Sequence, residues 1–171
     1  MKNSNSRTQL LEKAKILRSQ EKYEEALKIL DHLYENNPES GEIKDILIDT
    51  LFNYGGYLND YYTLEYEKAK QLFERITIIS PKNYRAHYNL GIAYFNLGQM
   101  ENAKKSFKKA LEIKPDYKYC HYNLGLLYED MEQYEEALNL YEKALEIDSN
   151  FTYALTARSQ IRKKLDDLRQ K

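Results

Sequence analysis

The chain has no tryptophan, one cysteine, three prolines and six glycines in 171 residues, and its charges nearly cancel. Each shortage excludes something. Cys120 alone cannot close an internal disulfide. So few glycines and prolines leave too little turn chemistry for an all-β chain, while Lys, Glu, Leu and Ala are abundant, which favours helices. Twenty-six basic against 27 acidic residues leave a net charge of −1. That supplies no field for a phosphate backbone, so nucleic acid is not an expected partner. No apolar run approaches the roughly 18 residues of a membrane-spanning helix, so membrane insertion is not expected. The N-terminal MKNSNSRTQLLEKAK lacks the apolar stretch of a secretory signal, and the expected location is the cytoplasm. What is present, 42% hydrophobic and 31% charged residues, is the balance of a folded globular chain.

Self-comparison finds a repeat. Residues 84–117 align without a gap on 118–151, sharing HYNLG at 87–91 and 121–125 and KALEI at 109–113 and 143–147. The period is 34 residues. Carried backward, it places Ala26 and Pro38 where Ala103 and Pro115 fall, which sets an earlier repeat at 7–40. Residues 41–83 form another, with FNYG at 52–55 set on FNLG at 95–98, and Ala69, Phe73 and Pro81 on Ala103, Phe107 and Pro115. This 43-residue unit carries an insert of nine near 56–64, and its alignment puts Ile48 at the site of Gly91. Apolar residues recur at helical spacing on both sides of a short polar turn, so each unit reads as a helical hairpin. Gly91 and Gly125 fall inside helices, where glycine costs about 1 kcal/mol, so close approach of the second helix is expected there. Residues 1–6 read as an N-terminal tail. Residues 152–171 place Ala154, Ala157, Ile161, Leu165 and Leu168 on one helical face and read as a capping helix.

The set Leu90, Gly91, Tyr94, Ala103, Phe107, Ala110 and Pro115 resembles the tetratricopeptide repeat family, over residues 7–151. The resemblance departs at the early aromatic of the first helix, which is His87 or His121 here. It implies an all-α, right-handed superhelical solenoid of helix-turn-helix repeats with a concave groove lined by the first helix of each hairpin. It also implies a non-catalytic scaffold that binds a peptide segment of another protein in that groove. The groove residues expected to bind are Tyr88, Asn89, Ile92 and Phe95 in the third repeat and Tyr119, Tyr122, Asn123 and Leu126 in the fourth. Tyr offers contact area at small entropic cost, and an Asn amide can hold a peptide backbone donor and acceptor together. A second reading is self-assembly, with the insert or the capping helix docking on another copy. The insert's Tyr57, Leu58, Tyr61 and Tyr62 form its expected contact. The chaperone-tail clamp found in some relatives is not expected, since its Lys and Asn positions carry Asp45 and Asp49, or Tyr88 and Ile92.

No enzyme, metal site or cofactor is expected. The chain shows no Gly-rich phosphate loop, nucleophile elbow or HExxH pattern. His87 and His121 recur one period apart rather than as closely spaced metal ligands. Charge alternates along the chain, and Lys104, Lys105, Lys108 and Lys109 are expected beside Glu135, Glu136 and Glu142 of the next repeat, as surface ion pairs or as a docking patch.

Overall fold

The computed structural model describes residues 2–60 and 63–170. The described residues form nine α-helices and no strand: α1 (Lys2–Ser19), α2 (Tyr23–Asn36), α3 (Gly41–Leu58), α4 (Tyr66–Ile79), α5 (Tyr84–Asn96), α6 (Met100–Ile113), α7 (Lys118–Asp130), α8 (Tyr134–Ile147) and α9 (Thr152–Arg169). They divide into two compact units, 1–81 and 82–171. The first holds the hairpins α1/α2 and α3/α4; the second holds α5/α6 and α7/α8, with α9 packed on α8. Residues 2–6, set apart in the sequence as a tail, continue α1. No helix among the described residues is long and apolar enough to cross a membrane.

The mid-helix glycines do what their cost demands. A Cβ at Gly91 would stand 2.6 Å from two ring carbons of Phe107, and one at Gly125 would stand 2.5 Å from the Tyr141 ring. In α3 the corresponding residue is Gly55, whose Cβ would lie 2.8 Å from the Phe73 ring. The alignment that put Ile48 at this site is therefore wrong by seven residues. Two further observations fix the corrected register. The Phe52–Phe73 ring pair, at 6.1 Å, repeats Tyr88–Phe107 at 6.1 Å and Tyr122–Tyr141 at 5.8 Å. The turn-closing bond from Glu65 N–H to the Leu58 carbonyl matches those from Gln99 to Tyr94 and from Gln133 to Tyr128. The extra residues of the second hairpin are thus split. Relative to its glycine, α3 begins seven residues before the corresponding start of α5, and the remaining two lie between the glycine and the start of α4 at Tyr66. Tyr61 and Tyr62 lie outside the described residues.

All four hairpins turn through one backbone device. Glu21, Leu64, Gly98 and Glu132 occupy the same place before their second helices, with φ of 59°, 55°, 70° and 58°. Only Gly98 adopts this left-handed region without a Cβ penalty. Leu64 is exposed and has nothing to lose by truncation. Leu64→Gly is expected to raise stability by about 0.5–1 kcal/mol, read as a higher urea midpoint at unchanged slope.

Each unit buries its own core. In the second, Ala103, Phe107 and Ala110 of α6 pack on Cys120, Leu124 and Leu127 of α7. Ala157, Ile161 and Leu165 of α9 cover Tyr134, Ala137 and Tyr141 of α8. At the places where α5 and α7 carry Leu-Gly to receive a second helix, α9 carries Arg158 and Ser159, so that face suits water rather than another hairpin. Cys120 is fully buried and donates its thiol to the Phe107 carbonyl at 3.3 Å. Burial pushes its pKa from 9.0 up to about 12. The folded chain keeps this proton between pH 9 and 12 while the unfolded chain loses it, so the associated stability is whole below pH 9 and lost across that window. At pH 8 a thiol reagent is expected to label Cys120 only as fast as the unit opens, and labelling in urea should track the unfolding transition.

Candidate functional site

The second unit displays its first helices, α5, α7 and α9, in register: Tyr88, Tyr122 and Thr156 correspond, as do Ile92, Leu126 and Gln160, and Asn89, Asn123 and Ala157. Most of the residues expected to line a groove are partly spent on structure. Tyr88 is half-buried, sits 5.0 Å from the Tyr117 ring and 6.1 Å from Phe107, and burial holds its hydroxyl pKa far above the usual range. Ile92 and Phe95 pack against the α6/α7 core. Asn89 donates its amide to the Arg85 carbonyl of its own helix at 2.8 Å.

Asn123 joins two helices. Its amide donates to the Tyr88 hydroxyl and to the Tyr119 carbonyl, both at 2.9 Å. Both amide hydrogens are then used and only the carbonyl oxygen is left for a ligand, so Asn123 cannot hold a peptide donor and acceptor together as its sequence position suggests. The junction of α5 with α7 is closed by this bond.

The junction of α7 with α9 is open. Where α7 carries Asn123, α9 carries Ala157, and no amide among the described residues bonds the Tyr122 hydroxyl. A cleft of about 330 Å³ occupies the place, with Tyr122, Leu126 and Glu129 on one wall and Tyr153, Thr156 and Gln160 on the other. Tyr122 is fixed by ring contacts to Phe151 at 5.6 Å, Tyr141 at 5.8 Å and Tyr153 at 5.9 Å. Tyr153 leaves 67% of its surface exposed. Leu126 rests on the α8/α9 core and forms the apolar floor. At one end Glu129 accepts the Tyr141 hydroxyl at 2.6 Å, and burial, helped by this bond, pushes that hydroxyl far above its ordinary pKa. Tyr119 lies beside the cleft, exposed, its ring 5.3 Å from Phe151, with the Lys118 ammonium 5.1 Å from both rings and bonded to Asp148 at 2.5 Å.

Sequence reasoning found the α7 wall and, on the α9 wall, missed Thr156, Ala157 and Gln160. Thr156, Ala157 and Gln160 were nevertheless reachable, because one more period of 34 from Tyr88, Asn89 and Ile92 passes through Tyr122, Asn123 and Leu126 to them.

Other expected contacts are corrected. Leu58 is 1% exposed and belongs to the core of the first unit, so it is no surface contact. Tyr57 beside it is 52% exposed. The lysines of α6 form no ion pair with Glu135, Glu136 or Glu142 among the described residues. Instead Lys109 pairs with Glu112 of its own helix, Lys104 lies over the Tyr128 ring, and Glu142 binds Arg162 at 2.6 Å. His121 donates from Nε2 to the Pro115 carbonyl at 2.8 Å, an assignment forced by an acceptor that has no proton to give.

Residues 84–150 match the family model described as tetratricopeptide repeat. No curated protein matches the chain significantly. Among solved structures, it is similar to the Sgt2 TPR domain from Aspergillus fumigatus, at 27% identity over 72% of this chain and 82% of that one, with a TM-score of 0.67. It shares a fold with the first TPR of Spaghetti (RPAP3) bound to the HSP90 peptide SRMEEVD, at 22% identity over 70% and 93%, TM-score 0.65. It also shares a fold with YrrB, described as a TPR protein with an unusual peptide-binding site, at 22% identity over 91% and 76%, TM-score 0.65.

Proposed function

Because the chain belongs to the tetratricopeptide repeat family, we propose that it is a non-catalytic interaction scaffold that takes a peptide segment of a partner protein between α7 and α9. The observation that carries this reading is the substitution of an amide by Ala157, which leaves Tyr122 without the bond that Tyr88 has and leaves a cleft where the preceding junction is closed. The cleft has an apolar floor in Leu126, aromatic walls in Tyr122 and Tyr153, and polar groups in Thr156, Gln160 and Glu129 that can meet a peptide backbone. This is the make-up of a peptide site: rings for buried area and a few polar groups for orientation. Tyr119 and Tyr153 both stand against Phe151, so aromatic surface continues beyond the cleft. Tyr88, Ile92 and Phe95 then act behind the site, by fixing α5 against α7, while the amide of Asn89 is spent within α5. Two of the similar structures are peptide-binding proteins by their own descriptions, which fits this use of the fold.

A photo-crosslinking residue tests the reading. Placed at Thr156, which is exposed in the cleft, it should capture the partner from the native cytosol; placed at Glu146, exposed on α8, it should not. Capture from Glu146 alone would move the binding face to the second helices and reject the proposal.

A further inference from the structure

The edge of the first unit carries a different chemistry, an aromatic cleft rimmed by carboxylates. Tyr23 opens α2, and its ring stacks on Tyr54 of α3 at 5.2 Å and 19°. Tyr57, one turn further along α3, stands 6.3 Å from Tyr23 at 40°, so the two rings form a wedge rather than a stack. The corresponding residues of the later hairpins, Ala93 and Leu127, are fully buried, whereas Tyr57 projects into solvent. The wedge opens into a cleft of about 360 Å³ that Glu21, Glu24 and Glu25 also line, against one cation, Lys22.

The molecule already shows what this combination holds. On the same tyrosine pair, the Lys68 ammonium lies 4.9 Å from the Tyr54 ring centroid and binds Glu24 at 2.5 Å, while Tyr54 donates its hydroxyl to the same carboxylate at 2.8 Å. Tyrosine faces receive lysines again at Lys104 and Tyr128 and at Lys164 and Tyr134. The wedge of Tyr23 and Tyr57 has the same parts and, among the described residues, no lysine over it and no hydrogen-bond or ion-pair partner for the side-chain carboxylates of Glu21 and Glu25. First-turn glutamates also steady a helix N-terminus, and Glu135 and Glu136 do so on α8. What distinguishes α2 is the pair of rings beside them.

We propose that the cleft of Tyr23, Tyr57, Glu21 and Glu25 binds an alkylammonium cation, the side chain of a lysine or an N-methylated lysine on a partner protein. A cation at the mouth of the wedge can lie within about 6 Å of both centroids, the range over which a ring face attracts it. The two unpaired carboxylates supply the opposite charge and, for an ammonium that keeps a proton, a hydrogen-bond acceptor. An N-methyl group lowers the cost of leaving water and adds contact with the rings. The site is built from the first unit alone, and its success or failure is separate from that of the α7/α9 cleft.

The test uses the full chain and three small probes, each Nα-acetylated so that only the side chain differs in charge: lysine amide, Nε-trimethyl-lysine amide and norleucine amide, the last uncharged, titrated against the tyrosine ring resonances by NMR. One or both cations should shift Tyr23 and Tyr57 with a dissociation constant on the order of 1–10 mM, at least about 10-fold tighter than norleucine amide. Tyr57→Ala, at an exposed position, should weaken the cation at least about 10-fold, and Tyr57→Phe should retain it. Glu21→Gln with Glu25→Gln should weaken it about 3- to 10-fold. Equal binding of norleucine amide, an unchanged Tyr57→Ala variant, or no response to either cation overturns the proposal.

Discussion

Truncating Phe107 to alanine is expected to cost the second unit about 3–5 kcal/mol, the usual price of removing a buried aromatic ring. Phe107 is fully buried and touches both α5 and α7, so the cavity would lie between three helices with no mobile surface to fill it. A single domain has about 5–15 kcal/mol of stability in all, so the variant should unfold at much lower urea or fail to accumulate. The glycine beneath the ring makes the reasoning sharper. Gly91→Ala should gain about 1 kcal/mol from helix propensity, yet its Cβ would enter the body of the ring at 2.6 Å, and overpacking costs about 1–3 kcal/mol. A net loss of up to about 2 kcal/mol is expected. Combined with Phe107→Leu, which withdraws atoms from that spot, the loss should be less than the sum of the two single changes, with a coupling of about 0.5–3 kcal/mol. A Gly91→Ala variant more stable than the parent would show that the ring and helix do not press on each other.

The largest effect on binding is expected from Tyr122→Ala with Tyr153→Ala. Losing an aromatic hot spot costs about 2 kcal/mol or more, so the double variant should bind the captured partner at least about 30-fold more weakly in titration calorimetry. Tyr153 is largely exposed and should carry its share with little change in melting temperature. Asn123→Ala should behave in the opposite way. It breaks the bond to the Tyr88 hydroxyl and should lower stability by about 1 kcal/mol, while affinity changes less than in the tyrosine variant. Wild-type affinity in the double tyrosine variant would exclude the α7/α9 cleft.

The last two hairpins were legible because their sequences repeat without a gap, and the close glycines announced themselves by their cost. The second hairpin was misread for a physical reason. FNYG matches FNLG at all but one letter, but the glycine that meets an aromatic ring is Gly55, seven residues from the aligned Ile48. Seven residues are nearly two whole helical turns, with a drift of only about 20°. The slip therefore leaves the same face buried, and hydrophobic periodicity cannot detect it; the contacts with Phe73 and the turn-closing bond of Glu65 do. The aromatic wall of the candidate site was also legible, while its open state was not. Tyr88 and Tyr122 are the same residue in the same register, and what separates a closed junction from a cleft is whether the next helix brings an amide or a methyl group.

The tyrosines of the second unit have an optical consequence. From Tyr84 through Tyr117, Tyr119 and Phe151 to Tyr122 and Tyr153, successive rings stand 5.1 to 5.9 Å apart. With no tryptophan in the chain to drain excitation, light absorbed by one phenol passes among its neighbours before emission and loses its polarisation. The native chain thus carries an intrinsic depolarised emission that vanishes when the rings separate, and the packing of these helices can be followed without attaching any dye.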